Sequence, residues 1–168
     1  LVLIYTNPSM AGAYWRVLSD EHSVQPWGAM WSNAAFTTNN AWVNVAWANY
    51  QSGGGMGSNS LGLTVPAVGL YRVTANMRAD NAPNGTYTQM QTARFNHAGS
   101  LISALGISGK LSTGEAYYTH TVTTLTTMNA LDYVILQCYS NAVGAVTWQN
   151  IGGGWGAMSM ELVSWGTN

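Results

Sequence analysis

The stretch Leu61-Gly-Leu-Thr-Val-Pro-Ala-Val-Gly-Leu-Tyr-Arg-Val-Thr-Ala-Asn-Met-Arg78 decides the fold class. Before Pro66, the residues Leu61, Leu63 and Val65 are apolar at every second position. After Gly69, Tyr71, Val73, Ala75 and Met77 share one face, while Arg72, Thr74, Asn76 and Arg78 share the other. Side chains alternate across a strand, so this pattern puts core on one side and water on the other.

The same rhythm continues toward the C-terminus. Ala82-Pro83-Asn84-Gly85 carries turn chemistry and predicts a hairpin, because Gly permits positive φ and Asn tolerates it. A strand over 86–95 follows, then the turn Asn96-His97-Ala98-Gly99 and a return over 101–105. Gly106, Gly109 and Gly114 predict a loosened segment. Residues 117–125 are rich in Thr and aromatics, which suit a pleated surface. The run from Tyr133 to Tyr139 is apolar on both faces at its start, so it belongs in the middle of a sheet. Residues 141–144 read as a turn, 152–154 as a link, and 156–165 as a last strand with Met158, Met160 and Leu162 on one face.

Toward the N-terminus the pattern is less regular. Residues 14–18 read as a strand and 20–31 as a loop, given Pro26 and Gly28. Asn39-Asn40 is a turn, Val43, Val45 and Trp47 alternate, and 52–60 read as a Gly-rich loop. No amphipathic helix emerges. Many short strands with Gly-rich turns predict an all-β sandwich or barrel. Residues 1–38 are expected as a connector or extra strands packed on the domain formed by 39–168.

The 168 residues suit one core, and 47% hydrophobic residues exclude a disordered chain. Only 7% are charged, against about 25% in an ordinary domain. The surface is therefore Ser, Thr, Asn, Gln and Gly, or part of it is covered by other subunits, where charge is depleted and aromatics and Met are enriched. Eight Trp, nine Tyr and eight Met suit the second reading. Five basic residues without a cluster argue against nucleic acid. No run is long enough for membrane insertion as a helix, and no secretory signal is expected at Leu1 to Ile4. The first residue is not Met, which suits a processed chain or a fragment. Cys138 stands alone, which rules out a disulfide framework within the chain and predicts a small buried hydrophobe.

Val65, Pro66, Gly69 and Tyr71 resemble the motif that leads into a strand in the C1q/TNF-like jelly-roll domains. Asp132-Tyr133-Val134 is similar to the Gly-Asp-x-Val of that family, with Leu131 in place of the Gly. Met128 stands where Leu is common, and Trp155-Gly156-Ala157 replaces an aromatic-Ser-Gly. The stretches 73–78 and 92–99, with Trp42 to Trp47 ahead of them, resemble the C1q-like domains of bacteriophage tail and fibre proteins. The resemblance covers roughly residues 39–165. It implies an antiparallel jelly-roll sandwich of about ten strands, a homotrimer, and recognition at the tip or side of an elongated particle.

No catalytic, metal or cofactor site is expected. Gly106-Ile-Ser108-Gly109 lacks the spacing of a nucleophile elbow, and His22, His97 and His120 form no metal pattern. The acids Asp20, Glu21, Asp80, Glu115, Asp132 and Glu161 are scattered, whereas calcium takes about six to eight oxygen ligands. Aromatics among neutral polar residues hold neutral sugars with a flat apolar face and hydrogen bonds, so Trp27, Trp31, Trp148 and Trp155 are the ligand-binding candidates. Core or subunit-interface packing is the competing reading for each. The function expected is a non-catalytic structural or adhesion module of a virion tail or fibre, or otherwise extracellular. Its partners would be its own copies, other virion proteins, and a cell-surface glycan or protein receptor. A secreted protein-binding module and a glycan-degrading enzyme remain as alternatives.

Overall fold

The computed structural model describes residues 3–6, 14–17, 25–31, 34–141, 146–149 and 157–166. The first strands are β1 (Leu3–Thr6), β2 (Tyr14–Val17), β3 (Trp27–Trp31), β4 (Phe36–Thr38), β5 (Val43–Asn44), β6 (Asn49–Gly53), β7 (Gly57–Ser58) and β8 (Gly62–Thr64). The longer ones follow: β9 (Gly69–Asp80), β10 (Tyr87–Phe95), β11 (Leu101–Leu111), β12 (Tyr117–Met128), β13 (Tyr133–Ser140), β14 (Val146–Gln149) and β15 (Ala157–Trp165). The described residues contain no helix, and their strand pairings are antiparallel.

Two sheets form a jelly-roll sandwich. One, six-stranded, runs β11-β10-β13-β8-β7, with β5 also on β13. The other, seven-stranded, runs β4-β14-β9-β15-β3-β6, with β12 also on β9. β1 and β2 form a separate pair, with Leu3 opposite Val17. Short ladders such as β4, β5 and β7 raise the strand number above the ten or so expected.

The core follows the period-two pattern. Tyr71, Val73, Ala75 and Met77 of β9 are fully buried, beside Met158, Met160 and Leu162 of β15. They face Leu63 and Val65 from around β8, Met90 of β10, and Val134, Leu136 and Cys138 of β13. β13 is central in its sheet, flanked by β10 on one side and by β8 and β5 on the other. The Pro66–Tyr71 motif is tied by a hydrogen bond from the Tyr71 hydroxyl to the Ala67 carbonyl at 2.9 Å. Asp132 anchors the start of β13. It accepts from both Nε (2.9 Å) and Nη2 of Arg94 and from the Asn129 amide at 3.0 Å. Leu131, where the family places Gly, adopts φ 69°. That left-handed conformation explains the family's glycine.

Several expectations change. Residues 27–31 are not loop but β3, held between β15 and β6. Gly28 is there for packing: a Cβ would lie 2.8 Å from Leu63 Cδ2 and 2.9 Å from Met56 Cγ. The stretch 52–60 is partly strand, ending β6 and containing β7. The turn at 83–86 closes as expected, with Thr86 N donating to Pro83 O at 3.0 Å and Gly85 at φ 81°. It makes no hairpin, because β9 and β10 belong to different sheets and the chain crosses between them there. Gly106 and Gly109 do not loosen the chain, since β11 runs through both. A Cβ on Gly106 would lie 2.5 Å from Val122 Cγ1 of the facing strand. The segment before Asn39 supplies β3 and β4 to the seven-stranded sheet. The turn and link expected at 141–144 and 152–154 fall largely or wholly outside the described residues.

Candidate functional site

The outer face of the seven-stranded sheet carries residues in register across four strands. Trp27 lies opposite Glu161, Glu161 opposite Arg72, and Arg72 opposite Leu125. The next row is Ala29, Ser159, Thr74 and Thr123; the third is Trp31, Ala157, Asn76 and Thr121. Small and β-branched residues keep the middle row low. The result is a shallow cavity of about 180 Å³, walled by Trp27 and by the Arg72–Glu161 pair. Arg72 Nη1 meets Glu161 Oε1 at 2.7 Å, each side chain half exposed, so the charges cancel locally at little energetic value. Trp27 is 44% exposed and Leu125 55% exposed.

The four candidate tryptophans separate. Trp27 and Trp31 share this outer face, four residues apart on β3. Trp148 is fully buried in the core. Its indole Nε1 donates to Thr38 Oγ1 at 2.9 Å, and its ring centroid lies 5.3 Å from that of His120. Trp155 lies outside the described residues.

One pairing with catalytic chemistry was hidden in the sequence. Ser108 Oγ is 3.0 Å from His120 Nδ1. The other ring nitrogen meets Thr88 Oγ1 at 3.0 Å, and Thr88 Oγ1 meets the Tyr118 hydroxyl at 2.7 Å. His120 is 1% exposed. Burial, and then the Lys110 ammonium, push its pKa down to about 4. Among the described residues both ring nitrogens are taken up by hydroxyl groups and the ring is buried, an arrangement of internal polar packing. Among the described residues no three His, Cys, Asp or Glu side chains converge to hold a metal ion.

The second outer face carries an arrangement the sequence reading did not find. On the six-stranded sheet Gln91 Nε2 donates to Gln137 Oε1 at 2.8 Å. Gln137 Nε2 in turn donates to Asn44 Oδ1 at 2.8 Å. Beside this row Trp42 packs on Tyr139 with centroids 5.3 Å apart, and the Tyr139 hydroxyl donates to Asn40 Oδ1 at 3.1 Å. The amides of β10 and β13 occupy outward positions, and the inward positions between and beside them are Met90, Thr92, Leu136 and Cys138. That alternation was legible; the register that joins them was not.

The two packed antiparallel sheets, with this strand order, define a jelly-roll of the TNF/C1q-like class. Among solved structures, the crystal structure of murine APRIL at pH 5.0 superposes with a TM-score of 0.63. The match covers 83% of this chain and 99% of that one at 11% identity, so what is shared is the fold. No protein-family model and no curated protein matches the sequence.

Proposed function

We propose that this domain is a non-catalytic assembly and recognition module whose copies join as a homotrimer through the outer face of the seven-stranded sheet. The observation that supports this most is the in-register face itself. It offers Trp27, Trp31 and Leu125 around small polar residues, and its central ion pair is internally neutralised. Such a face can be desolvated against its own copy without stranding a charge. Trp27 and Trp31 are thereby assigned first to assembly. The reading extends to a virion tail or fibre, or another extracellular setting, through the resemblance to phage C1q-like domains. There, three copies would raise avidity for a cell-surface ligand. A secreted module with a protein partner is the second reading, favoured by the likeness to APRIL.

Light scattering coupled to size-exclusion chromatography tests the assembly. The expected mass is three times the 18.0 kDa of one chain. Thr74→Arg, in the middle row, is expected to yield a folded monomer, because it buries an unpaired cation beside Arg72. A wild-type monomer at working concentration overturns the proposal.

A further inference from the structure

The outer face of the six-stranded sheet differs from the assembly face in what it offers a ligand. Across it, Gln91, Gln137 and Asn44 stand side by side on β10, β13 and β5. Their amides are bonded to one another at 2.8 Å, which fixes the plane of each. An amide nitrogen carries two hydrogens and an amide oxygen two lone pairs, so each bonded group keeps valences for a ligand. Ordering the amides in advance removes part of the entropic cost of binding. The neighbouring row places Tyr139 beside Gln89, with Trp42 packed on the Tyr139 ring and 40% exposed. Gln89 Nε2 donates to the Tyr87 hydroxyl at 3.1 Å, adding another oriented amide and phenol.

Charge decides the class of ligand. The outward positions of β10 are Tyr87, Gln89, Gln91, Ala93 and Phe95; those of β13 are Tyr133, Ile135, Gln137 and Tyr139. None is ionisable to a charge near neutral pH, and neither Trp42 nor Asn44 adds one. A phosphate-bearing polymer or an anionic membrane would find no countercharge here. The centre of the patch is a row of amides with no Arg, and Ile107 of β11, opposite Gln91 and 56% exposed, adds an apolar edge to it. A neutral polyhydroxylated chain fits both components: ring faces against Trp42, hydroxyls on the amides. Adjacent strands lie about 4.8 Å apart, close to the length of one pyranose residue, so successive amides meet successive sugars.

We propose that this face, centred on Trp42, Gln137, Gln91 and Asn44, binds a neutral unbranched oligosaccharide. The inference rests on the recognition half of the function proposed above and gives it a ligand class and a site apart from the assembly face.

Isothermal titration with neutral hexasaccharides (cello-, malto-, xylo- and N-acetylchito-) tests it, with light scattering on the same samples. Saturable binding of at least one probe is expected. Trp42→Ala should weaken it about tenfold or more, through loss of the stacking face. Gln137→Leu, which keeps the volume and the fold but cuts the ladder, should weaken it about fivefold or more. Absence of binding by every probe to an intact trimer overturns the site and leaves the assembly standing. A dissociation constant unchanged in both variants also overturns it. Binding by a protein that is monomeric supports the site and overturns the assembly.

Discussion

The interior of the sandwich has two unlike ends. Around Tyr71, Val73, Met160, Leu162, Met128 and Val134, the sheets meet through apolar side chains, closed at the edge by the Arg94–Asp132 pair. At the far end of β9, beside Met77 and Ala79, the filling turns polar: His120 lies opposite Met77, and Tyr118 and Trp148 lie opposite Ala79. There Ser108, His120, Thr88 and Tyr118 form one hydrogen-bonded chain, and Trp148, Thr38 and Ser140 another. The two ends are stabilised by different physics. The apolar end depends chiefly on area removed from water, a contribution indifferent to pH. The polar end depends on mutual satisfaction of buried groups, which fixes geometry but exposes the fold to protonation.

The largest effect should come from the apolar end. Leu162→Ala empties a fully packed site and is expected to cost about 4 kcal/mol, read from urea midpoints. The loss should be the same at pH 7 and pH 5; a loss that depends on pH would break the distinction.

Acid should act at the other end. His120 takes up its proton near 6.5 when unfolded and near about 4 when folded. The unfolded chain therefore binds more protons throughout that interval. Stability is full above pH 6.5 and falls as the pH drops through about 4, for a total of about 3 kcal/mol. His120→Phe should remove this dependence; a wild-type urea midpoint that stays level between pH 7 and pH 4 would sink the argument.

Two threonines on one strand give the smallest and sharpest contrast. Thr88 serves both His120 and Tyr118, whereas the buried Thr92 hydroxyl has no partner among the described residues. Thr88→Val should cost about 2 kcal/mol, and Thr92→Val should gain about 1 kcal/mol, in thermal melts at pH 7. Equal signs for the two would show that pairing is not what governs this end.

The strands β9, β10, β12 and β15 could be read almost directly, because along most of their length one face is buried and water forces the other to stay polar. Tyr71 to Met77 and Met158 to Leu162 are the clearest cases. β3 escaped because Gly28, which looks like a breaker, is demanded by contact with Leu63 and Met56, residues distant in sequence. The crossing at Pro83-Asn84-Gly85 escaped for a related reason: its turn chemistry is that of a hairpin, and only the partners of β9 and β10 show otherwise. The tryptophans were legible as residues of interest but not by location. Trp27 and Trp148 both lie near Gly- and polar-rich segments, yet one lies on an outer face and the other in the core. The amide row was invisible because Gln91, Gln137 and Asn44 meet only through strand register.

That row also has a direction. Each nitrogen donates the same way, from Gln91 to Gln137 to Asn44, so the row presents an amide oxygen at the β10 end and an amide nitrogen at the β5 end. Reversing one amide would set two nitrogens or two oxygens face to face, so the groups turn over together or not at all. A chain molecule laid along the row meets an acceptor first and a donor last in one orientation, and the opposite sequence in the other. The face therefore distinguishes head from tail in a chain whose two ends differ, a form of polarity that requires no net charge.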